Sequence, residues 1–168
     1  CPDLGSVYIR AGCQLKVDSP GLANPWYALF GSLVYPSGEG VYTIHHRKRA
    51  ADLLEHLQLL IDLEPNVFWF VVLDNASAHT TAAVEAFTLQ HQARLELVYL
   101  PTYSPHLNLI ERLWRFLRGQ ITRNRFYASL NNLAEATVAW LEQVPWPQLC
   151  SLMGVDDSSL AFVQEPFE

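Results

Sequence analysis

The chain is poor in cysteine, nearly devoid of methionine and sparing with charge. Its three cysteines, Cys1, Cys13 and Cys150, are odd in number, widely spaced and without a CxxC pair, so neither a disulfide framework nor a structural zinc site is indicated. All three are expected to be buried or spectator thiols. No apolar run approaches the roughly 20 residues needed to cross a bilayer. The opening CPDLGSVYIR also lacks the basic and apolar regions of a signal peptide. A soluble intracellular protein without membrane contact is expected. The chain starts at Cys1 and its one methionine is Met153, so a segment ahead of Cys1 is expected in the parent protein. Repeats and low-complexity stretches are absent. What remains, 168 residues that are 50% hydrophobic and 17% charged, describes a single globular domain over 1–168 with a tail after about residue 150 that has no clear pattern.

The net charge of −6 works against uniform nucleic-acid binding, because phosphate contacts are made mainly by Lys and Arg. The distribution softens that objection. Positive charge gathers in Arg47, Lys48 and Arg49 and again in Arg112, Arg115, Arg118, Arg123 and Arg125, while acids crowd the stretch from Glu135 to Glu168.

Periodicity orders the elements. Ser6 to Val17 alternates around Gly12 as a short ribbon, and SPGLANP follows as a turn-rich loop. Trp26–Tyr35 and Val41–His45, joined by PSGEG, form a hairpin. From Lys48 to Leu63 apolar residues recur at helical spacing until Pro65 and Asn66 stop the helix. Val67–Leu73 has no polar position, as expected of a strand buried on both faces. A helix over about Thr80–Gln92, a strand over Leu95–Leu100, the Pro101–Pro105 loop, and helices over about His106–Thr122 and Leu130–Gln143 complete the chain. The order β, β, α, β, α, β, α implies an α/β layer fold with helices covering a mixed sheet.

Two acids stand out on this frame. Asp74 follows the apolar run Val67–Leu73, and ligands of open α/β sheets bind outside the carboxyl ends of strands; equally, Asp74, Asn75 or Ser77 could cap the next helix. Glu111 lies early in a helix whose apolar face carries Leu107, Ile110, Leu113, Trp114 and Leu117. Spacing alone allows a solvated pair between Glu111 and Arg115. The preceding loop favours a built site, since Pro101, Tyr103, Ser104 and Pro105 stiffen the approach and Asn108 stands one turn before Glu111. Carboxylates from separate elements are what a two-metal phosphodiester site requires, with ions about 4 Å apart clamping the attacking and leaving oxygens. Asn75 could orient Asp74 as an outer-shell partner. His79, five residues on, could approach Asp74 or a phosphate, or serve as a structural hydrogen-bonder. His45 and His46 read as solvated. Trp114 reads as core rather than as a base-stacking platform.

The segments VVLDNASAH (Val71–His79) and LVYLPTYSPHLNLIERLWRFLR (Leu97–Arg118), with YIRAGCQLKV more weakly, resemble the DDE superfamily endonucleases, specifically bacterial insertion-sequence transposases related to mariner elements. The combination LDNxxxH with LPxYSPxLNxIExxW is highly specific. The resemblance covers most of Val67–Leu133. It implies a ribonuclease H-like (retroviral-integrase-like) fold in which Asp74 and Glu111, 37 positions apart, are the second and third metal-binding carboxylates. Mg2+ or Mn2+ would be the cofactor. Asn75, His79 and Asn108 would support the ligands, and Tyr103, Arg115, Arg118 and Arg123 would contact DNA. The partners implied are element ends and target DNA, with a homodimer on DNA in the full-length protein, in the bacterial cytoplasm at the nucleoid.

One departure from the pattern concerns the first acid. The family carries its first catalytic Asp on a central strand just ahead of the segment matching CPDLGSVYIRAG, so that strand and the helix-turn-helix region are expected outside this chain. Asp3 and Asp18 sit in turn-like contexts unsuited to replace it. The function implied is metal-dependent strand cleavage and transfer at insertion-sequence ends. The alternatives are a truncated or domesticated remnant that binds DNA or a partner without cutting, and a stand-alone ribonuclease H-like nuclease.

Overall fold

A computed structural model describes residues 27–154, apart from 36, 103, 105, 106 and 124 and the Met153 side chain. The predicted ribbon Ser6–Val17, together with Cys1, Asp3, Cys13, Asp18 and Tyr103, lies outside the described residues. The chain divides into two compact units, Ala28–Glu111 and a second to which Tyr27 and the residues from Arg112 onward belong.

In the first unit the aromatic and β-branched run forms β1 (Ala28–Leu33), which pairs antiparallel with β2 (Gly40–His45). The turn between them closes through Val34 N–H to the Glu39 carbonyl and Gly38 N–H to the Val34 carbonyl, both 2.8 Å. Gly38 adopts φ 79° there, which a side chain would resist. Helix α1 (Ala50–Leu63) follows. Asp52 accepts from the Arg49 backbone N–H at 2.9 Å and closes its first turn. β3 (Trp69–Leu73) pairs parallel with β4 (Leu95–Tyr99), and α2 (Ala82–Gln90) makes the crossover, capped by Thr81. Arg94, at the foot of β4, donates to the carbonyls of Ile61 and Glu64. It thereby satisfies the C-terminal end of α1, which has no basic residue of its own in its last turn.

The core is built on one face of α1. Leu53, Leu57 and Leu60 are buried with Val84 of α2, and the cluster takes in Phe30 and Val41 of the hairpin as well as Val71 and Leu97 of the parallel pair. Ile61, Trp69 and Leu95 extend it. In place of one mixed sheet, the described residues form two two-stranded sheets that are not hydrogen-bonded to each other. α1 holds both against one apolar surface. The expectation that Val67–Leu73 is buried on both faces is corrected: Phe70 is 65% and Val72 56% exposed, because α1 and α2 pack on the Val71 and Leu97 face alone.

The second unit contains α3 from Arg112 onward (Ile110–Leu117 in full), a π-helical turn at Arg118–Thr122, α4 (Leu130–Gln143) and α5 (Trp146–Met153). Ser129 caps α4 by accepting from Asn132 N–H at 3.1 Å. Phe116 and Trp140 pack with ring centroids 5.7 Å apart, joining α3 to α4. α5 is a helix the sequence pattern did not mark. Its signals are Pro145-Trp146-Pro147 at the start, where proline costs no intrahelical bond, and Gly154 at φ 69° at the end. Cys150 is a buried thiol, as expected. No described helix is long and apolar enough to cross a membrane.

His45 departs from its solvated assignment. Its side chain is 12% exposed and lies 3.6 Å from Asp52, edge-on to Phe30, because the strand end turns it under α1. His46 remains exposed. Deeper still, His56 hydrogen-bonds Ser32 Oγ through Nε2, 2.9 Å, and Thr43 Oγ1 through Nδ1, 3.0 Å, one ring nitrogen donating and the other accepting. Desolvation, helped by nearby His45, lowers its pKa from 6.5 to about 4. The folded protein therefore holds His56 neutral where the unfolded chain would protonate it. Stability falls as pH drops through 6.5 and continues to fall to about 4. At roughly 1.4 kcal/mol per pKa unit, the loss reaches about 3 kcal/mol. Urea titrations at pH 7 and pH 4.5 measure it, and His56→Leu should flatten the curve; an undiminished pH dependence in that variant would rule His56 out as the cause.

Candidate functional site

Parallel pairing brings the carboxyl ends of β3 and β4 out side by side. Leu73 is opposite Tyr99, and Leu100 N–H bonds to the Leu73 carbonyl at 2.9 Å, so the ladder runs to the last residue before Asp74. Asp74 is the first side chain beyond the sheet. Its Oδ1 accepts from Ala76 N–H at 3.1 Å and from His79 Nδ1 at 2.9 Å. His79 Nδ1 also lies 3.1 Å from the Asp74 carbonyl. Both oxygens can only accept, so Nδ1 carries the proton. Asp74 remains 41% exposed, and among the described residues no donor reaches its Oδ2. The capping alternative is settled: α2 is capped by Thr81, and Asp74 organises the tight turn at the strand end instead.

Among the described residues Asn75 makes no direct bond to the Asp74 carboxylate. Its amide donates to the Leu100 carbonyl, because neighbouring residues leaving a strand send their side chains to opposite sides. The orienting contact falls to His79. Tyr99 completes the arrangement by donating its hydroxyl to the His79 carbonyl at 2.8 Å. No motif or spacing singled out Tyr99, whose partner is 20 positions away.

From Leu100 the chain runs to Glu111 through a series of turns: Ser104 N–H to the Pro101 carbonyl, 3.2 Å; Leu107 N–H to the Ser104 carbonyl, 3.1 Å; Glu111 N–H to the Asn108 carbonyl, 3.1 Å. The predicted helix start, His106, lies outside the described residues; the helix is described from Ile110, since the Leu107 and Glu111 amides close turns rather than helical bonds. Asn108 consequently precedes the helix and meets Glu111 through its backbone. Glu111 is half-buried in the first turn of α3, where the positive end of the helix dipole favours a carboxylate. Asp74 and Glu111 belong to the same compact unit. Arg115, Arg118 and Arg123 belong to the other and are exposed. Arg123 N–H bonds to the Arg118 carbonyl at 3.0 Å, as does Thr122 Oγ1 at 2.9 Å, so the wider π turn sets the positions of both arginines. Trp114 is half-buried. Among the described residues no group of three or more His, Cys, Asp or Glu side chains is placed to hold a metal ion.

Residues 3–134 match the family model described as DDE superfamily endonuclease. The chain belongs to that family. Among curated proteins it is 29% identical over 150 residues to an insertion element IS630 uncharacterized 39 kDa protein of Shigella sonnei, covering 87% of this chain and 43% of that one. It is 25% identical over 125 residues to the uncharacterized protein y4pE/y4sA of Sinorhizobium fredii, covering 72% of this chain and 89% of that one. Among solved structures, a Mos1 transposase paired-end complex with left transposon end superposes with a TM-score of 0.67 at 17% identity. That match covers 99% of this chain and 52% of the Mos1 chain. A Mos1 mariner paired-end complex with Mn matches with a TM-score of 0.60 at 19% identity. The resemblance to mariner-related bacterial insertion-sequence transposases read from LDNxxxH and LPxYSPxLNxIExxW is borne out, and the mixed α/β fold matches that of about half of the Mos1 chain. This DDE-family chain spans less than half of the Shigella protein and about half of Mos1.

The Asn75–Leu100 bond should hold the loop to Glu111 against β3. Asn75→Ala is expected to speed amide hydrogen exchange between Leu100 and Glu111 while leaving α1 protected. Unchanged exchange in that loop would show that the bond does not restrain it.

Proposed function

We propose that the chain is the catalytic core of a DNA transposase, which cleaves DNA at insertion-sequence ends and joins the freed 3′-hydroxyl to target DNA. The observation that carries this is Asp74: a solvent-facing carboxylate at the mouth of a parallel strand pair, aimed by His79, in a chain of the DDE family. Asp74 and Glu111 are the second and third acids of the site and converge on it.

The donor set fits a hard divalent ion. Carboxylate oxygens suit Mg2+ and Mn2+, and Asp74 keeps Oδ2 clear of described donors while its Oδ1 is fixed. When bound, such ions supply charge neutralisation at the phosphate and activation of the attacking oxygen. The protein's own part is placement. His79 and the Ala76 amide hold Asp74 Oδ1, the turn at Asn108 presents Glu111, and Tyr103, Arg115, Arg118 and Arg123 offer contacts to the DNA backbone.

A further strand carrying the first acid and pairing between β1 and β3 would join the two separate sheets into one. The full-length protein then works as a dimer on DNA at the bacterial nucleoid. That Mos1 has been captured in complexes with its transposon end supports DNA as the partner.

Asp74→Asn and Glu111→Gln in the full-length protein remove a metal-binding charge at nearly constant volume. Each is expected to lower Mg2+-dependent nicking of an end-containing duplex by at least about 100-fold, beyond what loss of an outer-shell partner produces, while the fold and DNA binding persist. Near-wild-type nicking in either variant would remove that residue from the site. Nicking without strand transfer would indicate a stand-alone nuclease, and DNA binding without nicking in the wild type a non-catalytic binding protein.

A further inference from the structure

The turn that carries Asp74 is tied to the neighbouring strand from both sides. Asn75 reaches from the β3 end to the Leu100 carbonyl, and Tyr99 reaches back from the β4 end to the His79 carbonyl at 2.8 Å. A carbonyl only accepts, so the phenol donates. Burial, with Glu85 nearby, raises the Tyr99 pKa, which keeps that proton in place. Among the described residues, this is the one hydrogen bond tying residues 76–80 to a strand.

What it holds is the backbone of the residue that aims Asp74. His79 uses the single atom Nδ1 toward both Asp74 Oδ1, 2.9 Å, and the Asp74 carbonyl, 3.1 Å. A donor shared between two acceptors is sensitive to small displacements, since hydrogen bonds weaken steeply with angle. Local turn bonds, such as His79 N–H to the Ala76 carbonyl at 2.8 Å, shape the loop without anchoring it to the sheet. We propose that Tyr99 is a positioning residue for the Asp74 carboxylate, acting through the His79 backbone and imidazole. The proposal rests on Asp74 being a metal ligand.

The test compares Tyr99→Phe, His79→Ala and Asp74→Asn with wild type in the full-length protein. Mn2+ binding is titrated by electron paramagnetic resonance of the free ion, alongside thermal melting and nicking at varied Mn2+. Outer-shell partners of metal ligands typically contribute 10–100-fold in affinity; Tyr99 acts one bond further out, so Tyr99→Phe should weaken Mn2+ binding about three- to tenfold and His79→Ala more. The melting temperature and the KM for DNA should hold, kcat should fall at limiting Mn2+, and saturating Mn2+ should restore it. Wild-type Mn2+ affinity in Tyr99→Phe, with affinity lost in Asp74→Asn, would overturn the role of Tyr99 while leaving Asp74 as a ligand. A lowered melting temperature with activity that Mn2+ does not restore would overturn it in favour of a structural bond. Wild-type Mn2+ binding in Asp74→Asn would instead overturn the site assignment itself.

Discussion

Everything in the first unit depends on the apolar face of α1. Leu53, Leu57, Leu60 and Ile61 are buried against residues from β1, β2, β3 and β4, so one helix keeps two sheets in register that share no backbone bond. Burial of one such side chain contributes on the order of 2 kcal/mol, which makes this face the dominant adhesive between the hairpin and the parallel pair. Among the described residues His45 Nε2, Trp69 Nε1 and Arg94 Nε are buried without a hydrogen-bond partner, while the other polar groups at this face are met. His56 is met by Ser32 and Thr43 from the two hairpin strands, and the Arg49 hydrogen bonds keep the Asp52 carboxyl below its usual range. Arg94 finishes the helix from across the core.

The site is a consequence of that packing. With α1 and α2 fixing β3 against β4, the strand ends emerge together, and the chain beyond each is short enough to reach the other. Asn75 and Tyr99 make those reaches in opposite directions. Asp74 therefore stands on a rigid turn although it lies outside regular structure. Placement by packed elements and turn bonds is the condition a metal-assisted phosphodiester site needs, because its ligands must converge without reorganising. The exposed Phe70 and Val72 belong to the opposite face of the same strand, so the pair is covered on one side and tethered at its end.

Several features were legible in the linear sequence because their causes are local. Helical spacing marked α1 and α4, a continuous apolar run marked β3, and the motif residues marked Asp74 and Glu111 through family likeness. His79 was visible as a motif residue, and its contact with Asp74 follows from the short turn between them. Other features depended on pairing. Tyr99 reads in sequence as an ordinary strand residue, and its partner lies where only parallel register places it. Asn75 was assigned to its neighbour, but the parallel register offered it the Leu100 carbonyl instead.

The sequence by itself therefore determined the family and the order of elements from β1 to α4, since periodicity, turn residues and motif spacing act over a few positions. Tertiary structure decided what each polar group touches: that β3 shows one apolar face to solvent, that His45 is drawn under α1 and His56 is buried on that helix's inner face, that α3 starts at Ile110, and that the Asp74 turn is held from β4. Hydrogen bonds are short-ranged and directional, so which donor meets which acceptor is settled only when distant strands are brought within about 3 Å of one another.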